Sequence, residues 1–452
     1  MVHGRDLTRK VAVTGHIDSW YAASTPPQPP RPALQGDVDT DICVIGGGIA
    51  GCSTALHLAE RGYRVVLLEA HRVGWGASGR SGAQAIPGIA CGQHKLQALV
   101  GDADARRIWD VSVEGLRLQR ELIARHGIDC DHRAGQMHVA IKPRQERDLR
   151  EEVETLHGEY GYTSIRMVER EELRATVDSD RYIAGTCDSA GGHLHPLKYT
   201  QGLAAAAERA GVRIFEDSRA LTYTRVAAVS LPGGTGPGAG TSRGFEVTTA
   251  TGRVRCRTLA LCGNAWLGPF APALARKIMG VGTYIVATEP LGAERAAALI
   301  RNDAAVTDIN WVIDYFRRSA DHRLLFGGRV SYSGLDPLGT RRATRARMLQ
   351  VFPQLADTAI DHAWGGYVDI TMNRAPHFGR LEPEVYFLQG FSGHGIALTG
   401  IAGKLLAEAI AGDSGRFDVF ARIPHHDFPG GQALRRPALV LAMLWYRLRD
   451  LL

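Results

Sequence analysis

Cysteine is scarce in this sequence: the chain has seven, and no two of them form a C-x-x-C pair. Irregularly spaced cysteines indicate neither a disulfide framework nor a zinc site. We therefore expect no bound metal and a reduced, cytoplasmic setting. No run approaches the roughly 18 to 20 apolar residues that a membrane-spanning helix needs, and the N-terminal stretch lacks the features of a secretory leader.

Strong charge of either sign is also missing. The net charge is +6 over 452 residues, and the basic residues are scattered, without a basic helix. This distribution argues against nucleic acid as a partner. Hydrophobic residues make up 45% and charged residues 22% of the chain. Disordered and fibrous proteins are thereby excluded, and the length is sufficient for two domains around a large core.

One stretch stands out, an apolar strand from Asp41 that leads directly into a G-x-G-x-x-G turn and a helix. Gly46 permits the tight turn, Gly48 lets a ligand approach the backbone, and Gly51 lets helix and strand pack closely. The helix is predicted over residues 49–61, and its first N–H groups, at Ile49 and Ala50, point at a phosphate. A dinucleotide site is therefore predicted.

An acidic residue completes this motif. The next predicted strand, 64–68, ends at Glu69, close to the roughly 20-residue spacing at which an acid binds a ribose hydroxyl. Ala70 follows it. An acid at this position favours an unphosphorylated ribose.

Two further glycine-rich segments lie elsewhere in the chain. Residues 74–82 contain Ser78, Gly79, Arg80, Ser81 and Gly82, and are either a flexible surface loop or a surface for a flat ring. Residues 390–396 precede a predicted helix at 398–410, which provides a second helix N-terminus with exposed N–H groups.

The order of predicted elements indicates a discontinuous arrangement. Residues 25–32 are proline-rich and predict an extended arm before a first strand near Val38. Helices at 102–127 and 143–161 are assigned to a second domain. A helix and strand at 197–216 resume the α/β pattern. Strands follow at 245–249, 253–262, 281–288, 309–316 and 323–329, and the last three predict an antiparallel sheet.

The predicted fold is therefore α/β, with a discontinuous Rossmann-like nucleotide-binding domain and a second α+β substrate domain. We expect an arm at 1–36, the nucleotide domain at 37–90, 187–275 and 375–425, the substrate domain at 91–186 and 276–374, and a C-terminal tail or helix at 426–452. The apolar stretch at 437–446 is either a packed helix or a peripheral membrane contact.

The order of these segments resembles the D-amino-acid oxidase type of FAD-dependent amine oxidoreductase. The resemblance rests on the segments at 19–24, 76–80, 191–196, 263–265 and 428–431. It implies that FAD binds non-covalently, because no cysteine follows Cys262. The implied FAD contacts are Gly46, Gly48, Ile49, Ala50, Gly51, Glu69, Ala70, Ser78, Gly79, Arg80, Ser81, Gly82, Gly263, Gly393, His394, Gly395 and Ile396.

The resemblance also implies a reaction, in which an amine is oxidised to an imine that hydrolyses to an aldehyde and ammonia. γ-Glutamylputrescine is the leading substrate, and O2 or a quinone is the expected electron acceptor. Arg317 is the first candidate for the substrate carboxylate, because an Arg fork binds a carboxylate in two places. Tyr315, His394 and His195 are further candidates, each with a structural alternative.

Two alternatives remain open. A secondary amino acid such as sarcosine or L-pipecolate is the second substrate class. A flavin-holding subunit without turnover is the non-enzyme alternative. An NAD-linked reductase would need a second complete glycine motif, which the sequence lacks. The chain could also form a homo-oligomer.

Overall fold

The computed structural model describes residues 15–229, 242–331 and 339–429. Its helices are α1 Trp20–Ser24, α2 Ile49–Ala59, α3 Gln93–Val100, α4 Asp102–His126, α5 Pro143–Gly158, α6 Arg170–Thr176, α7 Pro196–Arg209, α8 Pro272–Ala275, α9 Ala293–Leu299, α10 Thr340–Val351, α11 Gly395–Ile410 and α12 Gly415–Ala421.

The strands form three sheets. They are β1 Gly36–Asp39, β2 Ile42–Ile45, β3 Val65–Leu68, β4 Gln84–Ala85, β5 Arg133–Ala140, β6 Ile165–Val168, β7 Ala184–His193, β8 Arg213–Phe215, β9 Thr222–Val229, β10 Ser242–Thr248, β11 Gly252–Cys256, β12 Thr258–Leu261, β13 Met279–Thr288, β14 Ala305–Asp308, β15 Tyr315–Arg318, β16 Leu324–Ser331, β17 Ile360–Ile370, β18 His377–Glu382 and β19 Val385–Gln389.

A six-stranded sheet of order β18-β19-β12-β2-β3-β8 forms the centre of the nucleotide-binding unit. All neighbours in it are parallel except β18, which pairs antiparallel with β19. The strands β2 and β3 are buried and apolar throughout, because parallel strands are covered on both faces. Helices α2, α7 and α11 pack together on one face. The predicted return of the α/β pattern at α7 and β8 is confirmed.

A nine-stranded sheet of order β17-β13-β16-β15-β14-β5-β7-β4 forms the second unit, with β6 added beside β7. It is antiparallel except between β14 and β5. One face lies in an apolar core with Phe316, Phe326 and Val286, against residues of α10 and α9. The opposite face carries Tyr315 and Arg317 and faces the nucleotide-binding unit.

The strand predictions need two corrections. The predicted strand 253–262 is two strands, β11 and β12, which leave Arg257 between them and enter different sheets. The predicted strand 309–316 is mostly loop: β14 ends at Asp308 and β15 begins at Tyr315. An apolar alternating pattern cannot locate such breaks, since the chain direction changes where polar side chains bind the backbone, as Asp308 does for Asn310.

The predicted first strand near Val38 is confirmed as β1, Gly36–Asp39, but the arm before it is not wholly extended. Folding begins before Val38, because residues 20–24 form α1, in which Trp20 and Tyr21 are buried. β1 pairs with β11 in a separate four-stranded sheet of order β1-β11-β10-β9.

Helix α4 packs on the nucleotide-binding unit, although the predicted boundary at residue 91 assigns it to the second domain. Its apolar face, including Ile108 and Leu122, lies in the same core as α2 and α11. The helix therefore covers the nucleotide-binding unit instead of belonging to the second unit alone.

The apolar C-terminal stretch and most of the glycine-proline loop before β10 lie outside the described residues. Among the residues that are described, no single helix is both long and apolar enough to cross a bilayer; α11 with α12 passes by length and composition, with a bend of 117° between them. Among the described residues, no group of three or more His, Cys, Asp or Glu side chains is arranged so that it could hold a metal ion.

Candidate active site

The turn after β2 has the geometry that its glycines predict. Gly46 adopts a φ of +111°, which favours glycine. A Cβ on Gly46 would lie 2.8 Å from the carbonyl oxygen of Cys262, and a Cβ on Gly51 would lie 1.9 Å from the carbonyl oxygen of Gly46. Glycine at position 51 therefore lets α2 approach the turn, and glycine at position 46 lets the turn lie against Cys262. Gly263 lies directly beside the turn, with its backbone N 2.9 Å from the same Gly46 Cβ position.

The side chain of Ser78, in the second glycine-rich segment, reaches the beginning of α2. Its hydroxyl accepts a hydrogen bond of 3.0 Å from the backbone N–H of Ile49. A Cβ on Gly48 would lie 2.8 Å from the same hydroxyl oxygen. The hydroxyl thus satisfies one of the helix's unpaired N–H groups and closes the space beside Gly48.

Glu69 ends β3 next to the glycine turn. Its carboxylate accepts hydrogen bonds from the backbone N–H groups of Gly47, at 2.7 Å, and His71, at 2.9 Å. Burial raises the pKa of this carboxyl group above its ordinary value. The structure therefore places the predicted acid against the turn, with Ala70 following it at the end of the strand.

The loop at residues 80–83 is held through its carbonyl oxygens. Trp364 Nε1 donates to the carbonyl of Arg80 at 3.0 Å, and the hydroxyl of Tyr21 donates to that of Ser81 at 2.9 Å. Arg317 Nε donates to the carbonyl of Gly82 at 3.2 Å. These three donors belong to β17, α1 and β15, so the loop is fixed by elements far apart in sequence.

The same loop carries a group of donors without protein acceptors. In the part of the chain that the structure describes, Arg80 Nε and Ser81 Oγ are buried without a hydrogen-bond partner, and the backbone N–H groups of Ser81, Gly82 and Ala83 donate to no protein acceptor. Buried donors are normally satisfied. This cluster therefore fits a ligand edge rich in acceptor atoms, such as the polar edge of a flavin ring.

Arg80 adds positive charge to this cluster. The residue is 7% exposed, and its guanidinium lies 4.4 Å above the ring of Trp75 and donates to the carbonyl of the same residue. Burial lowers its pKa to about 10. No carboxylate pairs with it among the described residues, so within that part of the chain its charge has no counter-ion.

Helix α11 begins beside β17, the strand that also carries Trp364. Gly393 has a φ of +95°, and a Cβ there would lie 4.0 Å from Val368 of β17. His394 is the N-cap residue, and Gly395 and Ile396 begin the helix. Burial, together with Arg374 and His138, lowers the pKa of His394 to about 3, so the imidazole is neutral at physiological pH.

A buried carboxylate connects α11's turn to the end of β12. Asp369 accepts hydrogen bonds from the Asn264 side chain, at 2.5 Å, and from the backbone N–H of Gly390, at 2.6 Å. Burial raises its pKa. Asn264 has a φ of +51°. Because Asp369 binds both Asn264 and Gly390, it holds the turn after β12 and the turn before α11 in a fixed relation.

The ring of Tyr315 packs closely against the backbone of Gly82 and Gly327. A Cβ on Gly82 would lie 2.6 Å from its ring, and one on Gly327 would lie 2.1 Å from it. Burial raises its pKa. This placement fits a wall residue of the cleft.

Arg317 requires a correction. It is 4% exposed, and its N–H groups donate to Gly82, Arg318 and Leu194 carbonyls, to the Tyr21 hydroxyl and to His193 Nδ1. A guanidinium has five N–H groups. None remains for the predicted fork with a substrate carboxylate, so we reassign Arg317 to support of the loop.

His195 is a second correction. It caps α7, since its Nδ1 accepts from the backbone N–H of Lys198 at 3.2 Å, and its Nε2 lies 3.1 Å from Ser24 Oγ. Its ring packs against Trp20 and Tyr21 at 5.1 and 5.0 Å. It binds the arm rather than lining the cleft.

Four residues of this site were missed by sequence reasoning. Tyr21 and Trp364 hold the loop, and Asn264 and Asp369 join the two turns. Tyr21 and Asn264 lie in segments that carry the family resemblance, at 19–24 and 263–265, but neither sequence pattern indicates a specific hydrogen bond.

The glycine turn, the acid after β3 and the donor-rich loop together define a protein that binds a flavin dinucleotide. Residues 41–409 match the family described as FAD dependent oxidoreductase, DAO. The chain belongs to this family. The expected fold class, FAD as cofactor and oxidoreductase activity are thereby confirmed.

Close full-length relatives agree. The chain is 40% identical to gamma-glutamylputrescine oxidoreductase of Escherichia coli over 97% of this chain and 99% of that protein. It is 39% identical to the probable oxidoreductase OrdL of Haemophilus influenzae over 96% and 97%, respectively.

Solved structures share the fold. Glycine oxidase from Bacillus cereus has a TM-score of 0.65 and 19% identity, covering 86% of this chain and 99% of that chain. L-Proline dehydrogenase from P. horikoshii has a TM-score of 0.65 and 20% identity, covering 83% and 94%.

Proposed function

We propose that the protein oxidises the free amine of γ-glutamylputrescine, in putrescine catabolism. The observation that carries this proposal is the 40% identity to gamma-glutamylputrescine oxidoreductase along almost the full length of both chains. The amine loses two electrons and two protons to become an imine, which water hydrolyses to an aldehyde and ammonia. FAD, when bound, supplies the electron acceptor for the C–N oxidation.

The cradle proposed for FAD consists of the predicted residues, with Ser78 moved to the phosphate end. The glycine turn and Glu69 hold the nucleotide part, and the unpaired donors of residues 80–83 take the polar edge of the ring. The start of α11, from Gly393 to Ile396, closes the other side. No covalent bond to the protein is proposed, since the chain has no cysteine after Cys262.

The electrostatics of the cleft favour the uncharged amine, which is the form that can lose a hydride. Arg80 is a buried cation that no carboxylate pairs with among the described residues, and it disfavours a second cation nearby. His394 is neutral because burial lowers its pKa to about 3. Burial between the two sheets adds a desolvation cost for an ammonium group. Tyr315 and His394 remain the proposed substrate contacts.

The two-unit domain division stays a proposal, with α4 now assigned to the nucleotide-binding unit. The final electron acceptor, O2 or a quinone, also stays a proposal.

An anaerobic flavin-reduction experiment tests the substrate. The holoenzyme is mixed with γ-glutamylputrescine, putrescine, sarcosine or L-pipecolate, and loss of flavin absorbance is followed by stopped flow. We expect fast, saturable reduction with γ-glutamylputrescine and much slower reduction with putrescine, which lacks the glutamyl carboxylate. Faster reduction by either secondary amino acid would overturn the proposal, and no reduction by any amine would favour the non-catalytic alternative.

A further inference from the structure

The N-terminal arm contacts the loop at residues 80–83 through one side chain. Tyr21 of α1 is fully buried. Its hydroxyl donates to the carbonyl of Ser81 at 2.9 Å and accepts a hydrogen bond of 3.0 Å from Arg317 Nη2. Tyr21 thus connects the loop to the second sheet, although it precedes the family-matched range 41–409.

Each carbonyl of this loop has its own donor. The carbonyl of Arg80 accepts a hydrogen bond from Trp364. That of Ser81 accepts one from Tyr21, and that of Gly82 accepts one from Arg317. The carbonyl of Ala83 accepts from the backbone N–H of Leu194 at 3.2 Å. Four successive carbonyl oxygens are therefore fixed by protein donors.

The orientation of the carbonyls determines that of the N–H groups. In a trans peptide the N–H points opposite to the C=O of the same unit, and the described chain has no cis peptide. The N–H groups of Ser81, Gly82 and Ala83 therefore point away from Trp364, Tyr21 and Arg317, respectively. Within residues 15–229, 242–331 and 339–429, none of these three N–H groups donates to a protein acceptor.

Backbone strain gives a reason for so many restraints. Ala83 adopts a φ of +63°, a left-handed conformation that is unfavourable for a residue with a Cβ. Such conformations persist when the surrounding structure determines them. The hydrogen bonds on either side of Ala83 supply that determination.

We propose that Tyr21 is a positioning residue for the flavin: its hydroxyl orients the peptide between Ser81 and Gly82 so that the N–H of Gly82 faces the polar edge of the ring. The arm is then part of the flavin site, acting through the loop without touching the reacting atoms. This inference rests on membership of the FAD-dependent family and not on the identity of the amine.

The variant Tyr21→Phe tests the inference, because it removes the hydroxyl and keeps the ring that packs on Trp364 and His195. Tyr162→Phe is the matched control. The Tyr162 hydroxyl is also buried and donates to the Asp188 carboxylate at 2.8 Å, but its surroundings are the separate apolar cluster of Trp109 and α5. Both variants lose one buried hydroxyl hydrogen bond.

Three quantities are measured without any amine: the Kd of the apoprotein for FAD, the flavin reduction potential and the visible flavin spectrum. We expect Tyr21→Phe to weaken FAD binding by about five- to thirtyfold, which corresponds to one hydrogen bond, and to shift the potential and the spectrum. Tyr162→Phe should lower the unfolding midpoint and leave all three flavin quantities at their wild-type values.

Wild-type flavin quantities in Tyr21→Phe would overturn the proposal, and so would equal changes in Tyr162→Phe. If Tyr21→Phe does not fold, Trp364→Phe serves instead, since it removes the donor to the neighbouring Arg80 carbonyl. A folded Trp364→Phe with an unchanged spectrum, potential and Kd would likewise overturn it. Because no substrate is used, the outcome is independent of the γ-glutamylputrescine assignment.

Discussion

The hydroxyl of Ser78 lies 3.0 Å from the backbone N of Ile49 and accepts its hydrogen bond. The side chain therefore caps a helix 29 residues earlier in the chain, and joins the two glycine-rich segments of the site. A serine oxygen at a helix N-terminus is typical of an N-cap, although here it comes from outside the helix.

Ser78→Ala should destabilise the protein by about 0.5–2 kcal/mol, the usual effect of losing a helix cap. The loss is measured by urea unfolding of the apoprotein. Ser414→Ala is the control, because its hydroxyl contacts Asp418 at the start of α12, and neither residue is among those proposed to hold FAD. We expect weaker FAD binding only in Ser78→Ala, and equal FAD affinity in both variants would contradict the cap's role at the cofactor.

Gly51→Ala should be more damaging than Gly48→Ala. The added Cβ at Gly51 would lie 1.9 Å from the backbone carbonyl oxygen of Gly46, whereas that at Gly48 meets the Ser78 hydroxyl at 2.8 Å. A backbone atom cannot move aside cheaply, and a side-chain hydroxyl can. Gly51→Ala is expected to lose both stability and FAD, while Gly48→Ala stays folded and binds FAD weakly.

The measurements for these glycine variants are acid-extractable FAD per protein and the urea midpoint of the apoprotein. Gly158→Ala is the control, because nothing lies within 4 Å of its Cβ position. A Gly51→Ala protein with wild-type stability would show that α2 does not approach the turn as closely as described.

Arg317→Ala should reduce catalytic efficiency toward γ-glutamylputrescine and putrescine by the same factor. The reason is that its guanidinium binds protein carbonyls and not substrate. The protein should also lose on the order of 2–3 kcal/mol of stability, as expected for charged hydrogen bonds to buried groups. Arg317→Lys should not restore it, since an ammonium lacks the fork.

Steady-state kinetics on both amines decide this point, with Arg318→Ala as the control for loss of a neighbouring arginine. A loss confined to γ-glutamylputrescine would restore Arg317 as the carboxylate anchor.

The stability of the protein should fall in mild acid because of His57. Its Nδ1 lies 2.8 Å from the carbonyl of Ser53, and burial lowers its pKa to about 4. The unfolded chain therefore takes up a proton near pH 6.5 that the folded protein refuses. The stabilisation is complete above about pH 6.5 and is lost as the pH falls toward 4.

Between pH 7.5 and 5.0, His57 alone should account for about 2 kcal/mol of the decrease in the free energy of unfolding. His57→Gln should show a decrease that is smaller by this amount, and His94→Gln, at an exposed position, should behave like the wild type. An identical pH dependence in His57→Gln and wild type would contradict the burial of a neutral imidazole.

Local sequence was sufficient for the nucleotide-binding unit. Gly46, Gly51 and Glu69 lie within one β-α-β segment. Their relative positions in space are therefore fixed by local structure, which their spacing along the chain predicts. The helices and buried strands there have strong periodicity, and the structure ends α2 only two residues before the predicted end.

Local sequence was not sufficient for the second unit. The predicted strand at 309–316 contains the loop in which Asp308 binds the backbone N–H groups of Asn310 and Asp314. Helix α4 has an amphipathic pattern that shows an apolar face but does not show which core covers it. Its position against α11 depends on contacts across almost 300 residues.

The sequence by itself determined the family, the FAD motif and the order of the α/β elements, because these depend on glycines and periodicities over short distances. Only the tertiary structure shows which groups Arg317, His195 and Tyr21 contact. A guanidinium binds a substrate or a carbonyl according to which acceptors the fold brings within about 3 Å, and those of Arg317, apart from the adjacent Arg318 carbonyl, come from residues more than 120 positions away in the chain.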